Sequence, residues 1–203
     1  MKKFFIAIMM CMPMMAGAQN TWEQAEVDVT GKVVNPDQKY LVGAVPVVDG
    51  KVVFTTTIEA PGKSADQIYG IILDYMKKMT TEPNQFEQSR IVMNDSVKKE
   101  ICGSYQEWLV FKNKPLVLDR TRLFYNLLAS CEDGKAKITL TRIYYLYDEE
   151  RQPQTYKAED WITDEYGLKK NKQKLSRVTG KFRKKTIDRK DYLFGKLKSL
   201  LNQ

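Results

Sequence analysis

Few residues in this sequence can do chemistry, and one absence narrows them further. None of the 203 residues is a histidine. Without an imidazole there is no Ser-His or Cys-His nucleophile and no His-ligated zinc or iron. Two cysteines beyond the apolar N-terminus, Cys102 and Cys131, fall in strand-like runs on either side of the Lys112 to Pro115 turn. They either pair in a cross-strand disulfide, worth about 3 kcal/mol through loop closure, or stay free as two buried apolar residues. Neither thiol has a histidine to activate it.

Other groups have a structural use beside a chemical one. Gly62-Lys63-Ser64 resembles the end of a phosphate-binding loop, but Thr57 stands where that loop needs its first glycine, so a turn followed by a helix cap is expected. Asp148-Glu149-Glu150 and Glu159-Asp160 could serve as acid and base or hold calcium. Their spacing is not that of a calcium loop, and a turn and a helix start are expected there. Trp108, Tyr125, Tyr144, Tyr145 and Tyr147 lie in the strand-rich middle. Because strand side chains alternate, part of that aromatic surface must face away from the core and could receive a glycan or peptide. Between Leu168 and Gln203 there are thirteen Lys and Arg against two Asp. Lys181, Arg183, Lys184 and Lys185 form the densest part of this region, a candidate patch for anionic partners or a solvated connector.

These groups need a frame. Asp49-Gly50 between Val45–Val48 and Val52–Ile58 predicts a β-hairpin, since both turn residues must accept positive φ. Ser64 with Gln67 three residues on predicts a capping box, and Ile68, Ile71, Ile72, Tyr75 and Met79 recur at helical spacing. Strand runs follow near 86–93, 98–112, 116–131 and 135–147, with a register shift between Arg142 and Ile143. Their antiparallel meander should have one face covered and the other partly wet. A short helix is predicted over 158–166, anchored by Trp161 and Ile162. A final helix is predicted over 187–201, with Thr186 as its cap and Leu193, Leu197, Leu200 and Leu201 on one face.

Residues 1–18 have the layout of a secretory signal peptide: Lys2-Lys3, an apolar run from Phe4 to Met15, then Ala16-Gly17-Ala18. Cleavage after Ala18 is expected, with export to the periplasm or cell surface. Met10 before Cys11 argues against a lipid anchor. Residues 19–44 read as a lead-in segment and 45–203 as a single domain. No later run reaches the 18 or so apolar residues of a membrane-spanning helix.

The order of hairpin, capped helix, meander, short helix, basic segment and final helix goes with three local runs. These are Lys157-Ala158-Glu159-Asp160-Trp161-Ile162, the segment from Gly180 to Asp188, and Tyr192-Leu193-Phe194. Over residues 50–203 the chain resembles an exported bacterial family described as a domain of unknown function with a TBP-like fold. The resemblance implies an α+β fold, an antiparallel sheet packed against an early helix and a C-terminal amphipathic helix, and it supplies no catalytic residues. The same broad architecture includes helix-grip proteins of the START and pollen-allergen type, which hold apolar ligands between sheet and helix.

The expectation is a non-catalytic binding module without cofactor or metal. It would act through its sheet face or basic C-terminal region on an envelope protein, a glycan or an anionic lipid. Nucleic acid is not expected as a partner of an exported chain. The alternative is a helix-grip carrier of an apolar small molecule, with an enclosed cavity on the order of several hundred Å³ between sheet and final helix.

Overall fold

Alternation of apolar and polar residues from Arg90 to Tyr147 builds most of the molecule. The computed structural model describes residues 37–203, so the signal segment and most of the lead-in lie outside the described residues. The sheet contains β3 (Phe54–Glu59), β4 (Arg90–Asp95), β5 (Glu100–Lys114), β6 (Val117–Glu132), β7 (Lys135–Tyr147) and β8 (Gln154–Lys157). It is antiparallel in the order β3-β7-β6-β5-β4, with β8 also on β7. Ile101, Tyr105 and Leu109 of β5 share one face with Leu123, Tyr125, Leu127 and Ala129 of β6, and all are buried. Against that face pack α1 (Ala65–Met79) and α2 (Gly180–Leu201). The opposite face is half-exposed, with no helix over it among the described residues. This is the α+β architecture expected.

The Asp49-Gly50 turn forms, with φ of 49° and 71°, but its hairpin is two residues deep. β1 (Val47–Val48) and β2 (Lys51–Val52) pair only with each other. At Phe54 the chain joins the main sheet beside β7, so Val52–Ile58 is not one strand of a local hairpin. Pairing with distant β7 buries Phe54 and Ile58 in the common core, which the local turn could not do. The capping box forms in full: Gln67 N–H donates to Ser64 Oγ and Ser64 N–H to Gln67 Oε1. Ile68, Ile72, Tyr75, Met76 and Met79 face the core. The shift between Arg142 and Ile143 is present as a β-bulge, with Arg142 at φ 54°.

Two boundaries differ from expectation. The segment after β8 makes one 3-10 turn, Ala158–Asp160, with Ile162 fully buried and Trp161 stacked on Tyr156 at 3.7 Å. The last helix begins at Gly180, seven residues before Ile187, so Thr186 lies inside it. Its hydroxyl shares a 2.7 Å hydrogen bond with the buried Tyr145 hydroxyl. The lysine-rich run read as a connector is therefore the first two turns of α2.

Tyr75, Tyr105, Tyr125 and Tyr145 are buried together in this core. Loss of hydration pushes each hydroxyl well above its ordinary value of 10.0. The folded value lies above the unfolded one, so their contribution to stability is complete below pH 10 and is lost as pH rises beyond it. Tyrosinate absorbance on alkaline titration is expected to show exposed rings ionising first. The buried ones should ionise only together with loss of near-ultraviolet circular dichroism; one smooth titration near pH 10 in the folded protein would contradict this.

Candidate functional site: the open face of the sheet

Alternation sorts the aromatic residues onto two faces. Tyr125 and Tyr145 point into the core, and Tyr147 lies half-buried beside Phe182. Trp108 on β5, Phe124 on β6 and Tyr144 on β7 stand on the open face, joined by Phe86, whose N–H donates to the Gln106 carbonyl at the β5 edge. Phe124 and Tyr144 stack at 4.2 Å, and Phe86 meets Trp108 at 5.0 Å. Two arginines of β6 lie among these rings. Arg120 Cζ is 3.7 Å from the Trp108 ring centre, and Arg122 Cζ is 3.8 Å from that of Phe86. Guanidinium planes on aromatic faces are favourable where water is partly excluded.

The turn after β7 fixes the arginines from the other side. Arg120 Nη2 donates to Glu150 Oε1 at 2.7 Å, Arg122 Nε donates to Glu149 Oε2 at 3.1 Å, and Arg122 Nη2 also donates to Glu149. Glu149 and Glu150 are thus partners of arginines rather than an acid–base pair. Beside them an open cleft of 320 Å³ is lined by Trp108, Leu118, Arg120, Leu146 and residues 147–151. The result is a ridge of alternating aromatic carbon and charged hydrogen-bonding groups, held in place before any ligand arrives.

The basic candidate residues are not a free patch. Arg183 is fully buried. Its guanidinium donates to the Tyr40, Leu41 and Ile162 carbonyls and to Asp164 Oδ1, at 2.6 to 2.7 Å. Lys181 binds Asp119 at 2.6 Å, Lys184 lies 3.5 Å from Asp37, and Lys185 is half-buried on the same helix. A binding role for Arg183 on the surface is therefore corrected to an internal clasp.

Cys102 and Cys131 are both free and buried. Cys102 opposes Leu128, whereas Cys131 sits beside Lys99. Residues 102 and 131 also fall on opposite faces: Cys131 belongs to the core cluster with Ala129 and Leu127, and Cys102 does not. A cross-strand bridge is excluded by register and by face. Burial pushes the Cys131 thiol up to about 11 and also raises that of Cys102, so neither is a thiolate nucleophile near neutrality. Gly62-Lys63-Ser64 is a turn and a helix cap, with Gly62 at φ 81°. Glu159 accepts the Val52 N–H at 2.9 Å.

At the interface between sheet and final helix, where a helix-grip carrier holds its ligand, side chains of α2 meet the core among the described residues. Phe182, Ile187, Leu193, Leu197 and Leu201 of α2 pack into the core, and Arg189 enters it among them. Arg189 donates to both carboxylate oxygens of Glu107 at 2.7 and 2.8 Å, each residue 1% exposed. Gln85 Nε2 also donates to Glu107 at 2.8 Å. Burial opposes the charge on Arg189, but the Glu107 carboxylate outweighs it and holds the guanidinium protonated. Burial raises the Glu107 carboxyl, which Arg189 counteracts; the two-pronged geometry is that of a carboxylate. The sequence reading missed this pair, although its signal was there. Glu107 is in phase with Tyr105 and Leu109, and Arg189 precedes Leu193, Leu197 and Leu201 at steps of four.

A family model described as "Domain of unknown function (DUF4468) with TBP-like fold" matches residues 54–146. The chain is similar to a DUF4468 family protein from Bacteroides ovatus, known from a crystal structure. Identity is 41%, the TM-score is 0.78, and the match covers 84% of this chain and 97% of that one. A TBP-like protein from Parabacteroides distasonis shares the fold at 22% identity and a TM-score of 0.61, over 77% of this chain and 96% of that one. No curated protein matches the chain.

Proposed function

The chain belongs to the DUF4468 family, a domain of unknown function with a TBP-like fold, and from that premise we propose that it is an exported, non-catalytic module that binds an envelope glycan on the open face of its sheet. The ridge of Phe86, Trp108, Phe124 and Tyr144 interleaved with Arg120 and Arg122 carries this reading. A sugar ring is apolar on its faces and polar around its rim, and the ridge offers aromatic carbon and hydrogen-bonding groups in the same alternation. Its side chains are already held by one another and by Glu149 and Glu150, so binding would freeze few rotamers. The basic C-terminal region supports a binding role less well, because Arg183 is internal and Lys181 is engaged with Asp119. Export rests on the sequence of residues 1–18.

Cosedimentation of the purified chain with insoluble envelope polysaccharide tests the site. Trp108→Ala and Tyr144→Ala are each expected to weaken binding about tenfold or more, as truncating an aromatic anchor does, while Lys184→Gln leaves it unchanged. Wild-type affinity in both aromatic variants would overturn the site. For export, the N-terminal residue of protein recovered from cells is expected to be Gln19. A cytosolic chain starting at Met1 would overturn that part.

A further inference from the structure

The β5–β6 hairpin outruns the rest of the sheet. β7 stops pairing with β6 at Thr121, opposite Tyr147, whereas β5 and β6 stay paired out to Lys114 and Val117. Residues 112–118 therefore project as a two-stranded ribbon. Its two-residue loop is Pro115-Leu116, and Leu116 has φ 64°. In that left-handed region an L side chain crowds its own backbone, and glycine or asparagine is the usual occupant. Leu116 is nevertheless fully exposed, at 105% of its reference surface, and Val117 and Leu118 beside it are exposed as well. A leucine disfavoured by both backbone and water stands where neither folding nor solubility calls for one.

On its α2 side the tip is bordered by cations, while the cleft that Leu118 lines holds Asp148, Glu149 and Glu150 beside Arg120 and Arg151. Lys112 and Lys114 are exposed on the ribbon itself. Lys112 pairs across the ribbon with Asp119, which accepts from Lys181 in the first turn of α2. The loop before α2 leads directly into the turn that carries Lys181. Gly180 lies against Leu175 without room for a β-carbon, and the Thr179 hydroxyl donates to the Tyr166 carbonyl. That loop exposes Lys169, Lys170, Lys174 and Arg177 together with Tyr166 and Val178. No acidic residue occurs between Tyr166 and Ile187.

We infer that this end of the molecule docks on an anionic lipid surface, with Leu116, Val117 and Leu118 entering the interface and the Lys and Arg rim resting on the headgroups. Interfacial binding adds buried apolar area to attraction for anionic lipid. A narrow apolar tip backed by positive charge offers both to a layer it can penetrate. Leu116 and Val117 lie outside the aromatic ridge and its cleft, which of the three tip residues only Leu118 lines, so the inference goes beyond glycan binding and can fail without it.

Flotation of the full chain with phosphatidylcholine vesicles, with and without phosphatidylglycerol, tests the inference. The chain is expected to float with the anionic vesicles and much less with the neutral ones, and added salt should release it. Leu116→Asn is expected to weaken the binding about tenfold, the weight of one leucine side chain returned to water. Its melting temperature should be equal or higher, because asparagine accepts the loop geometry. The apolar residues 4–15 are common to both proteins, so the difference isolates the tip. Absence of flotation, indifference to phosphatidylglycerol, or equal flotation of Leu116→Asn would overturn the inference. So would a Leu116→Asn variant that instead abolishes self-association in sedimentation equilibrium, which would assign the tip to a second copy of the chain.

Discussion

Arg189→Met is expected to lower the unfolding free energy by about 3–5 kcal/mol, the usual cost of leaving one member of a buried ion pair without its partner. Glu107 would keep Gln85 at 2.8 Å but lose both short bonds to the guanidinium. Burial already pushes its carboxyl above the ordinary 4.5, and in the variant nothing comparable opposes that push. The sign follows from linkage. With the folded value above the unfolded one, the variant is least impaired below the unfolded pKa and loses ground as pH rises through the folded value. Urea unfolding at a series of pH values should therefore show the gap from wild type narrowing toward pH 4.5. Glu107→Leu combined with Arg189→Met should recover most of the loss, because two apolar side chains of similar volume leave no charge unpaired. A double variant as unstable as the single one would mean that shape, and not charge, is what the pair supplies.

The same pair illustrates what the sequence makes legible. Features encoded within a few residues can be read directly: the Ser64–Gln67 capping box, the Asp49-Gly50 turn, the alternation of the meander, and the phase shift at Arg142. The outline of the α+β fold follows from them. What cannot be read locally is which distant segment supplies a partner. Val52–Ile58 looks like half of a hairpin because its true neighbour, β7, lies some eighty residues on. Lys181 to Lys185 looks solvated because the carbonyls that receive Arg183 come from residues 40, 41 and 162. Cys102 and Cys131 look like facing residues until the register is known to within one position, which also decides their faces. The aromatic ridge was half legible. Alternation separates Trp108 and Tyr144 from Tyr125 and Tyr145, but only the docking of both helices determines which set is left uncovered.

Arg183→Met is expected to cost about 3 kcal/mol, with the damage concentrated at the N-terminal side of the described residues. The guanidinium gathers four acceptors, the Tyr40, Leu41 and Ile162 carbonyls and Asp164 Oδ1. Hydrogen bonds to a charged group contribute roughly 1.5–3 kcal/mol each, and a buried acceptor left bare costs about 1–3 kcal/mol. Leu41 and Asp164 are each only half-buried and can turn to water, so the loss falls well short of the sum. Burial lowers the Arg183 pKa and Asp164 opposes that shift, so the clasp is a cation held by its acceptors. Residues 40–45 are joined to the domain by polar contacts here, through the Gly43 N–H to Asp164 and through the Tyr40 hydroxyl to Asp188 at 2.6 Å, and by burial of Tyr40 and Val45 in the core. Limited proteolysis of Arg183→Met should therefore cut near Leu41 before any cleavage in the sheet. Arg183→Lys should behave almost like the methionine variant, since one ammonium cannot reproduce a planar fork aimed at four oxygens. Wild-type stability in Arg183→Lys would show that charge alone, without the geometry of the fork, holds the N-terminal segment against α2.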